Sequence, residues 1–378
     1  MSSAGLGRDV GIAVVGCGTI GRIRAELARD HPGVGWLGLC DLDDGVGKRL
    51  AGDSSADFYT NDYAELVRRP EVDAVIVATD ENAHEGPCLA AARAGKALFI
   101  EKPLATSAEA SARVLGEIET SGVDAVLGYT QRFRRPFLAA KAKLESGTLG
   151  DVTTVVTRAF MNRMVPLATL RRTTERARLT PIVVSGTHSV DLCLWLMEGK
   201  TPERVYARSV DRSLGEHGTK DSTLAIVTMT DGTVWSMNIS WALPTVWPGS
   251  VYGLEIGIVG TQGVLDVEDT HRDLVVASET PQSSGYQPEG FSAGVARHVD
   301  FLTSYPPGDL WGGQLWGPMR EETNAWFTRL VSGLETPHAT AADGHRNLTL
   351  TMAIDMSAAR GTEVEVPVDP RALDAATA

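Results

Sequence analysis

Gly16-Cys17-Gly18-Thr19-Ile20-Gly21 has the spacing GxGxxG. In such a loop the first glycine permits a tight turn and the second lets a pyrophosphate approach the backbone. The third permits close helix–strand packing. Asp41 lies 20 residues beyond Gly21, where a carboxylate can accept from a ribose 2′-hydroxyl and repel a 2′-phosphate. These residues point to NAD, with NADP disfavoured because no arginine follows Asp41 closely. A second group is Phe99-Ile100-Glu101-Lys102-Pro103, at the end of a strand that faces the nicotinamide in a dinucleotide-binding domain. A lysine there can hydrogen-bond a substrate oxygen and stabilise developing negative charge. Taken alone, such a lysine is more often a solvated loop residue.

The elements that must hold these residues can be read from the hydrophobic pattern. The β-branched runs VGIAVV, AVIVAT, ALFI and DAVLGY alternate with helical stretches at Ile20–Arg29, Ala83–Ala94 and Ala108–Thr120. Strand–helix alternation predicts a parallel sheet covered by helices. Beyond residue 129 the order changes. A helix over Pro136–Ser146, a strand over Asp151–Phe160 and a helix over Ile182–Met197 are followed by strands at Arg204–Val210, Ser222–Thr230, Thr233–Trp241, Val251–Val259 and Val264–Val267. Asp231-Gly232 marks a hairpin between two of them. Helices are predicted at Val295–Ser304, Glu321–Val331 and His345–Arg360, with a frayed C-terminal tail. The expected fold is α/β: a Rossmann parallel sheet in residues 1–128, then an α+β domain in residues 129–378 with a large, mainly antiparallel, open sheet.

The sequence resembles the glucose–fructose oxidoreductase/inositol dehydrogenase (Gfo/Idh/MocA) family. The resemblance runs through GCGTIG, AVIVAT with His84 shortly after it, ARAGKALFIEKPLA, GYTQRF, GTLGDVTTV, GTHSVDLCLWL, EIGIVGTQGVLDV and GHRNLTLTMAIDMSAARG. It implies NAD(P)-dependent oxidation or reduction of a secondary alcohol on a sugar, glycoside, cyclitol or related ring. It also implies a second domain used for oligomerisation, hence a homodimer or homotetramer. Lys102 and His188 match the catalytic lysine and histidine, and the Lys102–Pro103 bond is expected to be cis. Cofactor contacts are expected from Gly16, Gly18, Thr19, Ile20, Gly21, Asp41, Thr79, His84, Glu101 and Lys102.

Two positions depart from the family pattern. Val184 stands where the family carries an Asp four residues before the histidine, and Asp80-Glu81 replaces the usual Pro-Asn. Either His188 remains the base with another group compensating, such as Asp191 at i+3, or the chemistry is altered. On their own pattern, His188 among Leu192, Trp195 and Leu196 reads as a packed core histidine, and Asp191 as a structural hydrogen-bonding residue. Arg132, Arg172, Asp191 and Trp247 are the weaker substrate-side candidates. The run Arg171–Arg178 reads either as an exposed basic loop or as a grip on a carboxylated substrate. The alternatives are therefore a dehydrogenase or decarboxylase acting on a carboxylated cyclic diol, or a non-catalytic NAD-sensing regulator.

Composition narrows the partners. The chain has 378 residues and a formal net charge of −13, which argues against nucleic acid. It has no apolar run long enough for a membrane helix, and its opening MSSAGLGRDV holds no apolar signal core. Cys17, Cys40, Cys88 and Cys193 match no metal-binding spacing, so no metal is expected and the thiols read as buried in a reducing cytoplasm.

Overall fold

The computed structural model describes residues 9–170, 179–245, 247, 251–269, 274–280, 298–302 and 308–376. In chain order the elements begin β1 (Val10–Val15), α1 (Thr19–Asp30), β2 (Val34–Cys40), α2 (Asp44–Asp53), β3 (Phe58–Thr60), α3 (Tyr63–Val67), β4 (Ala74–Val77), α4 (Glu85–Arg93), β5 (Ala97–Glu101), α5 (Ala108–Ser121) and β6 (Ala125–Gly128). They continue with α6 (Arg135–Glu145), β7 (Val152–Asn162), α7 (Met164–Leu170), a π-helical turn (Pro181–Gly186), α8 (Thr187–Leu196), β8 (Pro202–Val210), β9 (Ser222–Met229), β10 (Val234–Leu243), β11 (Val251–Gly260) and β12 (Val264–Asp269). The last are β13 (Leu274–Ala277), β14 (Val299–Leu302), β15 (Asp309–Trp311), β16 (Gln314–Trp316), α9 (Pro318–Ser332), β17 (Ala339–Thr340), α10 (Ala341–Arg360), β18 (Val364–Glu365) and α11 (Pro370–Ala376).

The chain divides into two compact units. The first comprises Met1–Thr130 and Pro318–Arg346. Its sheet runs β17-β6-β5-β4-β1-β2-β3. All its pairings are parallel except β17 on β6. Every residue of β1 and β4 is buried, as strands covered on both faces require, and this is why they read as unbroken apolar runs. Asp43, Asp62 and Ser107 cap α2, α3 and α5 through their side-chain oxygens, each cap stabilising by about 1 kcal/mol.

The second unit comprises Gln131–Gly317 and Asn347–Ala378. Its large sheet runs β12-β11-β7-β10-β9-β8-β18, antiparallel except for the β7–β10 pair. The expected hairpin is present: the Gly232 N–H donates to the Met229 carbonyl and the Thr233 N–H to the Asp231 carboxylate. Alternation sorts the strands. Val155, Val227, Trp235, Met237 and Ile256 are buried, whereas Val156, Tyr206, Leu224, Ile226, Val234 and Val259 are exposed on the other face. The strand register sets Tyr206, Ile226, Ser236, Val156 and Gly257 in one cross-strand row.

Three expectations change. Residues 318–346, expected in the second domain, belong to the first unit. Trp326, Phe327 and Leu330 of α9 are buried in the same core as Val10, Ile12, Val14 and Leu37, and β17 extends the parallel sheet. The helix expected over Val295–Ser304 is a strand at 299–302, the rest of that stretch lying outside the described residues apart from His298. Its pairing with β13, Phe301 opposite Val275, overrides helical periodicity. The tail is helical over α11. Pro370 occupies the first turn, Asp369 accepts the Arg371 N–H, and Leu373 is fully buried. No helix of the described residues is long and apolar enough to cross a membrane.

Candidate active site

The glycine loop joins β1 to α1 with little steric room. Gly16 has φ +96°, and a Cβ there would lie 2.5 Å from the Ala78 carbonyl oxygen. A Cβ on Gly21 would lie 1.8 Å from the Gly16 oxygen, so both positions exclude a side chain. Gly18 is the opposite case: nothing lies within 4 Å of where its Cβ would stand. It is the N-cap of α1 and provides no side-chain cap. Thr19 and Ile20 begin the helix half-buried. The first N–H groups of α1, at the positive end of its dipole, therefore face open space suited to a pyrophosphate.

Asp41 is tied to this loop directly. The Cys17 N–H donates to one carboxylate oxygen at 2.7 Å, and the Asp43 N–H donates to the other at 2.8 Å. Each oxygen keeps a lone pair for a ribose hydroxyl. Beneath the loop, burial pushes the Cys17 and Cys40 thiols up to about 12, with the charge of Asp41 adding to the rise. These are unreactive protonated thiols at neutral pH. The open Gly18, the uncapped helix start and the placed carboxylate fit a dinucleotide with a free 2′-hydroxyl.

Thr79 and His84 follow β4. The Gly16 turn packs against the Ala78–Thr79 peptide. His84 is buried, its Nδ1 2.8 Å from the Pro103 carbonyl oxygen and its Nε2 3.2 Å from the Thr79 carbonyl oxygen. The histidine thus bridges the loop after β4 to the loop after β5, where the Lys102–Pro103 bond is cis as expected. Glu101 accepts from Arg24 of α1, and Lys102 is half-buried at the end of β5. Hydrogen bonds of Asp41 and His84, joined by the close packing of Gly16 on the Ala78–Thr79 peptide, therefore connect the glycine loop to the residues around Lys102.

In the second unit, His188 is half-buried on the first turn of α8, directly after the π-helical turn. Thr180 caps that turn, its hydroxyl accepting the Val183 N–H at 3.2 Å. Asn347 braces the start of α8. Its amide donates to the Thr187 carbonyl at 2.8 Å, and its side-chain oxygen accepts the Thr187 hydroxyl at 2.8 Å. Val184 packs against the apolar cluster of Met161, Leu214 and Trp241, beside Leu167.

The substrate-side candidates divide. Arg132 and Asp191 are both buried and bind each other, and Arg132 also lies over the Trp195 ring at 5.3 Å. Asp191 thus accepts one bond from Arg132 on each carboxylate oxygen, three residues beyond His188 on the same helix. Trp247 is half-buried in a loop held by the buried Asn162 amide, which donates to the Trp247 carbonyl at 3.0 Å. Arg172 and the whole run 171–178 lie outside the described residues. Among the described residues, no group of three His, Cys, Asp or Glu is placed to hold a metal ion.

Sequence reading missed the buried Asn347, Arg24 and Glu322; it named Glu101 only as a cofactor contact, not as the partner of Arg24. The signal for Arg24 and Glu322 was present. Arg24 sits on the apolar stripe of α1 with Gly21, Ala25 and Ala28, and Glu322 on that of α9 with Met319 and Trp326. A charge on a core-facing stripe implies a buried partner.

Residues 10–129 match the family described as oxidoreductase, NAD-binding Rossmann fold, and residues 137–266 match the C-terminal domain of the same GFO/IDH/MocA family. An inositol 2-dehydrogenase of Acidothermus cellulolyticus is 31% identical over 277 residues, covering 72% of this chain and 74% of that protein. The chain belongs to the Gfo/Idh/MocA oxidoreductase family. Inositol 2-dehydrogenase 2 of Saccharopolyspora erythraea is 28% identical over 368 residues, 95% of this chain and 96% of that protein. The crystal structure of GenD2 from gentamicin A biosynthesis in complex with NAD shares the fold. Its TM-score is 0.77 at 22% identity, over 96% of this chain and 97% of that one. As a Gfo/Idh/MocA member the protein is an NAD-dependent oxidoreductase.

Proposed function

We propose that this oxidoreductase oxidises a secondary alcohol of a cyclitol or closely related sugar ring, with Lys102 and His188 as its catalytic residues. The single observation that carries the reading is the connected set of contacts, Asp41 to the glycine loop, Gly16 packed on Ala78–Thr79, and His84 bridging Thr79 to Pro103, which ties the dinucleotide loop to the Lys102–Pro103 turn. The names of the inositol dehydrogenase relatives support the choice of ring. Gly16–Gly21 and Asp41 would hold the cofactor, and NAD bound there supplies the hydride acceptor. The Lys102 ammonium donates to the substrate oxygen and stabilises the alkoxide character that develops there. His188 takes the hydroxyl proton on an imidazole nitrogen and returns it in the reverse reduction. Its helix start is held by the Thr187–Asn347 pair, so the ring is presented from a fixed backbone.

The partner is a second copy of the chain, assembled as a homodimer or homotetramer through the exposed face of the large sheet. Val156, Leu224 and Ile226 give that face its apolar centre, with the Arg158–Glu255 ion pair in the next row. The free, buried cysteines support a cytoplasmic setting.

A polyol panel including myo-inositol, scyllo-inositol and glucose, with NADH formation followed by absorbance, tests the reaction. Lys102→Ala should lower turnover roughly 10²–10³-fold, and His188→Ala about 10²–10⁴-fold. Both should retain NAD affinity. Wild-type turnover that survives in both single variants overturns the assignment, and NAD binding without turnover of any polyol favours a sensor.

A further inference from the structure

Arg24 is fully buried in α1, yet it carries a charge into the core of the first unit. Its guanidinium lies over the Phe99 ring, 4.3 Å from the centroid. Nε and Nη2 donate to one oxygen of Glu101 at 3.0 and 2.7 Å. Nη2 also donates to Glu322 at 2.7 Å, while Nη1 donates to the Thr323 hydroxyl and reaches the Met319 carbonyl at 3.4 Å. The Thr130 hydroxyl donates to the same Glu322 oxygen at 2.9 Å. One planar cation thus ties the end of β5 to α1, to α9 and to the segment after β6. Only arginine, with five donors in a rigid fork, can make these bonds together.

The bond to Glu101 matters because the next residue is Lys102, across a single peptide unit. The fork holds the Glu101 side chain on the α1 side of the sheet. Lys102 thus lies between two anchored neighbours, Glu101 held by the fork and Pro103 held through its carbonyl by His84. Gly128 on β6 is closed in on the same side: a Cβ there would stand 3.0 Å from Glu101 Oε2 and 3.1 Å from the Phe99 ring. A charged fork in a low-dielectric core is directional and stiff. Burying a cation with two carboxylates is a poor way to gain stability compared with apolar packing, so its retention calls for another role.

We infer that Arg24 is a positioning residue for hydride transfer, orienting the Lys102 ammonium through Glu101. The inference rests on the reading of Lys102 as the residue that binds the substrate oxygen. A displacement of the order of 1 Å at a reacting group costs up to about 10²-fold in rate, and that is the effect at stake. Arg24→Lys keeps the charge but cannot reach Glu101, Glu322 and Thr323 at once.

The experiment is a four-cornered comparison of wild type, Arg24→Lys, Lys102→Ala and the double variant. It reads kcat with the best polyol of the panel, KM, and NAD affinity by fluorescence titration. Arg24→Lys should lower kcat roughly 10- to 100-fold and leave NAD affinity within a factor of about three. It should cost nothing further once Lys102 is alanine, because there is then no ammonium to position. Equal loss in both backgrounds means a role independent of Lys102 and overturns the proposal, as does unchanged kcat in Arg24→Lys. Full activity in Lys102→Ala removes the underlying reading of the lysine and is seen separately, in that single variant. Where Arg24→Lys does not fold, Glu101→Gln takes its place. It keeps the shape of the side chain while weakening the fork, and the same non-additivity is required of it.

Discussion

The Arg132 guanidinium meets the Asp191 carboxylate as a two-pronged fork, Nε to Oδ2 at 2.8 Å and Nη2 to Oδ1 at 2.6 Å, with both side chains almost completely buried. The pair joins the segment after β6 to α8, three residues beyond His188. The pair anchors the helix that carries the histidine. Removing one partner leaves a buried charge without its counter-charge. Arg132→Ala should cost about 3–5 kcal/mol of stability, measured by chemical denaturation. A substrate-binding arginine would instead raise KM with little loss of stability, and that result would count against the structural role.

Val184 lines an apolar cluster with Met161, Leu214 and Trp241. An aspartate placed there loses water without gaining a partner from that cluster. Val184→Asp should destabilise the protein by about 1–3 kcal/mol and should not raise turnover. An increase in kcat in this variant would show that the position still accommodates a histidine-orienting acid, and that Val184 limits the natural rate.

Asp41 has both carboxylate oxygens fixed by backbone N–H groups, so a 2′-phosphate cannot swing the charge away. Calorimetric titration should find NAD bound at least tenfold more tightly than NADP, about 1.4 kcal/mol. Asp41→Ala should narrow that gap, chiefly by strengthening NADP binding. Tighter binding of NADP by the wild type would refute the assignment of selectivity to Asp41.

Burial pushes the Glu322 carboxyl up to about 7, the charge of Glu101 adding to the rise and the Arg24 guanidinium opposing it. A carboxyl whose folded pKa exceeds its unfolded value, near 4.5, binds the proton more tightly in the folded protein. Its contribution is complete below about pH 4.5 and is lost as pH rises towards 7. Thermal melts of wild type and Glu322→Gln should therefore diverge with pH. The stability of the wild type relative to the variant should fall between about pH 4.5 and 7 and level off above that window. A constant difference across the window would mean that Glu322 is ionised throughout.

Leu224, Ile226 and Val156 share the exposed face of the large sheet. If that face joins two copies, Ile226→Asp should bury a charge at its centre and dissociate the oligomer at micromolar concentration. Light scattering resolves the outcome, and a wild-type protein that runs only as a 40.3 kDa species would contradict the proposed assembly.

The sequence determined what rests on local rules. The GxGxxG turn is legible because Gly16 and Gly21 meet backbone atoms that exclude any side chain. The β1 and β4 runs are legible because parallel strands are buried on both faces, and the β9–β10 hairpin because Asp231-Gly232 fits only a tight turn. Tertiary structure decided what depends on partners far apart in the chain. Arg24 and Glu322 are separated by 298 residues, and Thr187 and Asn347 by 160. Arg132 and Asp191, both weak substrate-side candidates in sequence and Asp191 also a structural one, meet as a buried pair because folding brings their segments together out of water. The apolar stripes of α1 and α9 mark Arg24 and Glu322 as core-facing, but which distant group meets each charge is decided only when folding brings the segments together.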